Sequence, residues 1–338
     1  MTPLLITIFL LTYLAITLEH PLRISKSASA LLGAGILWSV YALMAPDAAV
    51  VNAELAKTIA STAEIAFFLM GAMTIVEVID SHRGFDVVTA RIQTQSLPGL
   101  LSLISVTTFF LSAILDNLTT TIVMVSLLKK LLGNREDRLF FAGMIVIAAN
   151  AGGAWSPIGD VTTTMLWIGG QITALAIIKS LILPSIANLA IPLVITTRLL
   201  KGQRVIAPSA VQKNDDSGTS IMERNVMFFL GLGVLIAVPA FKTITHLPPF
   251  LGVLLGLGVV WLVGDMLHRN KTAEQKNHLN LSHALSRIDL SSIIFFVGIL
   301  LAVATLEHTH VLSSAAMWLN DTIGRQDYII MLIGILSA

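Results

Sequence analysis

Asn150-Ala151-Gly152-Gly153-Ala154-Trp155-Ser156-Pro157-Ile158-Gly159-Asp160, running into Val161-Thr162-Thr163-Thr164, decides how this chain folds. The stretch lies between apolar runs at 139–149 and 161–178. Three glycines and a proline within eight residues break the helix that begins near 139. At membrane depth, irregular backbone is tolerated only inside protein or along a cavity. In membrane carriers, the carbonyls and helix ends freed by such breaks coordinate Na+. Asp160 is placed to cap the next half-helix, with Thr162 and Thr163 in its first turn. Capping and ion binding are compatible roles for one carboxylate.

A second interruption precedes it. Asp116-Asn117 sits between the apolar arms 97–115 and 118–128, followed by Thr119-Thr120-Thr121. A charge at membrane depth costs at least about 2.5–3.5 kcal/mol and marks a functional candidate. A carboxylate, amides and hydroxyls offer only oxygen ligands, the set that hard cations take. Burial also favours the protonated carboxyl. One carboxylate can therefore exchange a proton for a sodium ion.

The rest of the composition agrees. Of 338 residues 55% are hydrophobic and 12% charged, against about 25% charged in a soluble domain. A soluble enzyme, a disordered chain and a nucleic-acid binder are excluded. Without cysteine there is no disulfide, Cys-ligated zinc or thiol catalysis. No Walker loop, HExxH or GxSxG is present, which argues against an enzyme, a nucleotide partner or a cofactor. Residues 3–18 lack a preceding basic residue and a small-residue cleavage site, so they read as a retained first span.

Further apolar stretches at 28–45, 58–79, 180–197, 226–241, 248–266, 290–306 and 328–338 give an all-α polytopic membrane protein. Most of the 21 basic residues fall in 19–27, 81–96, 129–138, 198–224 and 267–288. One path puts all five clusters in the cytoplasm, with 97–128 a re-entrant hairpin and 139–178 a broken crossing helix. Residues 201–225 read as a cytoplasmic linker between 1–200 and 226–338.

These halves repeat. Leu31–Val40 and Leu254–Val263 share six of ten positions at an offset of 223. Phe67-Phe68 matches Phe295-Phe296, and Leu111-Ser112-Ala113 matches Leu336-Ser337-Ala338, at similar offsets. On the path above the copies run in opposite directions, the pattern of inverted-repeat secondary transporters. The second copy stops before any counterpart of Asp116, so the reading expects a second half that is incomplete. The remaining polar residues carry less. Glu77 and Asp80 read as interfacial, Glu64 as nearer the outer end, and His82 and His268 as solvated or interfacial. Nothing singles out His308.

FFLSAILDNLTTTIVM (109–124) and NAGGAWSPIGDVTTTMLWIGG (150–170) resemble the NhaD-type sodium/proton antiporters of the wider ion transporter superfamily. The resemblance implies exchange of cytoplasmic Na+ or Li+ for external H+ across the cell (inner) membrane. It implies Asp116, Asn117, Asn150, Asp160, Thr162 and Thr163 as the important polar residues, with Ser337 in a second motif. Family members form two inverted halves, each with a hairpin and a broken helix, and are often homodimers. The alternatives are a Na+-coupled carrier of an organic acid or oxyanion, and a non-transporting membrane scaffold. An anion carrier needs positive groups at its breaks, and a scaffold needs no buried carboxylates. Asp116 and Asp160 count against both.

Overall fold

The computed structural model describes residues 2–89, 94–205, 219–269, 271–272, 276 and 279–337. They form α1 (Thr2–Thr17), α2 (Glu19–Leu22), α3 (Lys26–Met44), α4 (Ala48–Ser81), α5 (Asp86–Thr89), α6 (Leu97–Leu115), α7 (Asn117–Leu131), α8 (Arg135–Ala154) and α9 (Val161–Ile168). Then come α10 (Ala174–Leu199), α11 (Ile221–Thr245), α12 (Pro249–Leu267), α13 (Leu281–Arg287), α14 (Leu290–His308), α15 (Val311–Ile323) and α16 (Gln326–Ser337). Seven of these, α3, α4, α6, α10, α11, α12 and α14, are long and apolar enough to cross a membrane. The chain is a multi-pass membrane protein. Residues 206–218, most of the expected linker, lie outside the described set.

The helices fall into two compact units, Met1–Ala66 with Asp289–Ala338, and Phe67–Ile288. In the first, α3 packs along α14 and α1. Leu5, Leu37, Ala302 and Leu306 form its core. Contact is close because the residues are small: a Cβ on Gly298 would lie 2.9 Å from Ala30. Ser27 Oγ donates to Ser291 O at 2.8 Å, and Trp38 Nε1 to Leu301 O at 2.9 Å. His308, undistinguished in sequence, stands 3.7 Å from Glu54 Oε1 and 3.1 Å from Thr58 Oγ1.

In the second unit, the C-terminal part of α4 packs on α11, α12 and α13 through Val78, Met227, Val260, Leu281 and Ala284. A Cβ on Gly71 would lie 2.6 Å from the Val253 side chain. Glu77, read as interfacial, meets Arg287 at 3.0 Å. The hairpin α6–α7 lies against α8 and α10. Its mouth is tied by backbone bonds from Leu97 N to Gln203 O (3.1 Å) and Val205 N to Gln95 O (3.0 Å).

Of the boundaries that differ from those expected, three bear on the broken helix. Helix α8 starts at Arg135, not 139, because Asn134 caps it and Glu136 and Asp137 suit its positive first turn. It also continues through Gly152 and Gly153, so the irregular stretch is only 155–160. The expected crossing 139–178 ends instead at Ile168. A turn with Gly170 at φ 72° follows, and Thr173 caps α10, which carries Lys179 in its interior. Lysine there resembles a span boundary in hydropathy, but Gly-Gly and a Thr cap are the physical stop and start signals.

The solvated reading of His82 and His268 is overturned. Their side chains are buried and stacked, with Nε2 atoms 3.0 Å apart. His82 Nδ1 lies 2.7 Å from Val78 O. A carbonyl only accepts, so His82 Nδ1 carries the proton and its Nε2 accepts from His268 Nε2–H. Burial pushes His82 down to about 4, although the Val78 bond opposes it, and the charges of His268 and Lys271 push the same way. His268 is lowered by burial and Lys271. The unfolded chain therefore binds a proton that the fold excludes. This stabilisation is full above the ordinary histidine pKa of 6.5 and is lost as pH falls towards 4. Between pH 7.5 and 4.5 the detergent-purified protein should lose thermal stability. His82→Asn should flatten that dependence, and an unchanged slope would deny the pair its role.

Candidate ion site at two chain breaks

The hairpin turns at Asp116, whose φ of 97° is unusual for a residue other than glycine. Holding such a backbone costs on the order of 1–3 kcal/mol. The side chain offsets part of it by capping α7. Asp116 Oδ1 accepts from Thr119 N at 2.8 Å, and Oδ2 from Thr119 Oγ1 at 2.7 Å. One residue on, Asn117 opens α7 and reaches out of the hairpin. Its Nδ2 donates to Asn150 Oδ1 at 2.9 Å and to Asp160 Oδ2 at 2.8 Å. Asn150 Nδ2 donates to Val146 O at 2.8 Å, which fixes that amide's orientation.

Asp160 closes the broken helix. Its Oδ1 accepts from Thr162 N at 2.8 Å, the expected cap, while Oδ2 takes the Asn117 amide. Thr163 Oγ1 donates to Ser156 O at 2.9 Å and to Asp160 O at 3.0 Å, knotting the break to the start of α9. Two helix N-termini, each with a carboxylate at its mouth, thus meet through one amide.

Backbones approach closely enough to allow this. A Cβ on Gly152 would lie 2.1 Å from Phe109 O, so α6 and α8 touch main chain to main chain. A Cβ on Gly159 would lie 2.7 Å from Ser112 O. Ser112 Oγ donates to Ala149 O at 2.6 Å, satisfying a carbonyl next to the break. Ser112 escaped the sequence reading, although it is the repeat partner of Ser337, which did not. In the sequence these glycines look like helix breakers; the fold uses them for close approach of main chains.

Asn117, Asn150, Asp160 and Thr163 are therefore brought into one network, and Asp116 with Thr119 forms a second cluster joined to it through the adjacent residue Asn117. Thr162 contributes its backbone N–H. Thr120 Oγ1 is fully buried and makes no hydrogen bond. Ser337 ends α16 in the other unit, and its side chain lies outside the described residues. Each carboxylate oxygen can accept about two hydrogen bonds. Asp116 and Asp160 each receive two through the contacts above, which leaves lone pairs on both. Neither forms an ion pair with Lys or Arg among the described residues. Acceptor-only oxygens, an orphaned buried hydroxyl and no bound cationic side chain make a set that fits a small hard cation.

The family model described as citrate transporter matches residues 10–338. Sodium/proton antiporter 1 of Arabidopsis thaliana is 45% identical over 332 residues, 98% of this chain and 57% of that protein. Sodium/proton antiporter 2 of the same plant is 44% identical over 98% of this chain and 78% of its own length. The Na(+)/H(+) antiporter NhaD of Vibrio cholerae serotype O1 is 29% identical over 88% of this chain and 67% of its own. The chain thus spans little more than half the length of the first of these relatives. With two helix breaks joined through Asn117 and likeness along nearly its whole length, the chain belongs to the citrate-transporter family of membrane carriers, in its NhaD-type branch.

Proposed function

We propose that the protein exchanges cytoplasmic Na+ or Li+ for external H+ across the cell (inner) membrane, as a secondary transporter and not an enzyme. The observation that carries this reading is the Asn117 amide joining Asp160 and Asn150 beside Asp116, with no Lys or Arg ion-paired to either carboxylate among the described residues. A proton and a cation compete for the same Asp116 lone pairs. Loading one expels the other, and that competition is what couples two opposite fluxes. Asn117 keeps the second carboxylate in reach, and Thr119 holds Asp116 in the hairpin turn. Thr120 Oγ1 supplies a hydroxyl oxygen one turn inside α7.

The inverted repeat is part of the proposal. Two reciprocal contacts support it: Gly298 on Ala30 in one unit and Gly71 on Val253 in the other. Ala30 and Val253 are separated by the repeat offset of 223, and the glycines each follow a matched Phe-Phe pair. Such a pairing is what two copies that each lend one helix to the other would give. The cytoplasmic placement of 129–138 and 201–225, and a homodimeric assembly, belong to the same reading.

A second reading, a Na+-coupled carrier of an organic acid, has the match to the citrate-transporter family in its favour. An anion would have to settle beside Asp116 and Asp160, which hold no Lys or Arg among the described residues to offset the repulsion. The two are separated by uptake of labelled sodium and labelled citrate into proteoliposomes holding the protein expressed from its complete reading frame. With an imposed proton gradient, Na+ uptake without citrate is expected. Citrate uptake that requires Na+ would replace antiport with cotransport.

A further inference from the structure

The eight-residue helix α9 is too short to hold its own position. It is about 12 Å long, so its bearing is set by what grips its two ends. One end is gripped by Asp160, through Thr162 N and the Asn117 amide. Near the other end, one residue before the last, stands Trp167, which is buried. Lys242, near the end of α11, donates from Nζ to Trp167 O at 2.6 Å. The same ammonium lies 4.6 Å from the centre of the Trp167 ring. Phe68 of α4 meets that ring edge-on, with centroids 6.4 Å apart. A single lysine thus binds both the carbonyl and the ring of Trp167 in the last turn of the half-helix. Its charge also sits at the negative end of the helix dipole, opposite the end that Asp160 caps.

Lysine is costly in a membrane-spanning helix, and Lys242 stands apart from the cytoplasmic basic clusters. Topology of charge gives it no reason to be there, whereas its contacts do. We propose that Lys242 is a positioning residue for ion exchange: by anchoring the far end of α9 it holds Asp160 in hydrogen-bond reach of Asn117. The inference rests on the antiport reading above.

A short helix anchored at both ends moves when one anchor goes. A tilt of α9 stretches the 2.8 Å Asp160–Asn117 bond before it alters the core. The loss therefore falls on cation affinity rather than on folding. A charge-assisted hydrogen bond is worth enough to change affinity about tenfold.

The experiment measures Na+-dependent proton exchange in everted vesicles for the protein expressed from its complete reading frame, for K242M and for K242R. K242M should raise the KM for Na+ about tenfold with kcat within about twofold. K242R, which still donates to the carbonyl and stacks on indole, should return KM to within about threefold of the parent. Should K242M reach too little protein in the membrane, K242R against K242Q gives the same comparison. An unchanged KM in K242M, or a loss confined to kcat, overturns the positioning role. Absence of Na+/H+ exchange in the parent protein overturns antiport itself, so the two failures are told apart.

Discussion

Asp116→Asn should reduce Na+-dependent proton exchange at least a hundredfold while leaving the protein folded. Asparagine keeps the size, keeps an oxygen for Thr119 N, and matches aspartate in shape at the strained positive-φ backbone of residue 116. It caps a helix about as well as aspartate. What it lacks is a titrating, charged oxygen. Asp116→Glu keeps the titration but displaces the carboxylate by a methylene, so it should retain part of the rate with weaker Na+ affinity. A merely structural cap predicts the reverse order, with Asn close to the parent and Glu damaged by bulk. Exchange in vesicles, with membrane expression checked by immunoblot, distinguishes the two orders.

Gly152→Ala should be severely damaging for the gain of one methyl group. Its Cβ would lie 2.1 Å from Phe109 O and 2.8 Å from Phe109 Cα, atoms of the main chain that cannot rotate aside. Relief requires α6 and α8 to separate, which pulls Asn150 from Asn117. A loss of about 3 kcal/mol or more is expected, at the upper end of overpacking penalties. Gly143→Ala, on the same helix with nothing within 4 Å of the new methyl group, is the control. It should be neutral or gain up to about 1 kcal/mol from helix propensity. Thermal unfolding in detergent compares them. Equal melting temperatures would mean that the hairpin and α8 do not touch as described.

Much of this was legible in the sequence because the bilayer is an unforgiving solvent. Apolar length gives the spans, and a polar residue inside one is expensive enough to stand out. Asp116, Asn117, Asn150 and Asp160 were visible on that ground, and the structure brings all four together. Local rules were less well resolved. The charged first turn of α8 fell below the hydropathy signal, and Lys179 masked the true turn at Gly169-Gly170. Contacts between distant residues were not legible. His82 and His268 lie 186 positions apart, and Lys242 and Trp167 lie 75 apart. A histidine at a helix end or a lysine near one looks solvated until its partner is known. Ser112 was within reach, since the repeat pairs it with Ser337, and only the weight given to acids passed it over.

The central claim is that a cation and a proton compete for one carboxylate between the two breaks. It is tested most directly by adding Na+ to the purified protein in weakly buffered detergent solution and recording proton release with a pH dye. Release should saturate with Na+, need more Na+ for saturation as pH falls, be reproduced by Li+ but not K+, and vanish in Asp116→Asn. Saturable Na+ binding that releases no proton, or release that survives Asp116→Asn at full amplitude, would contradict the account.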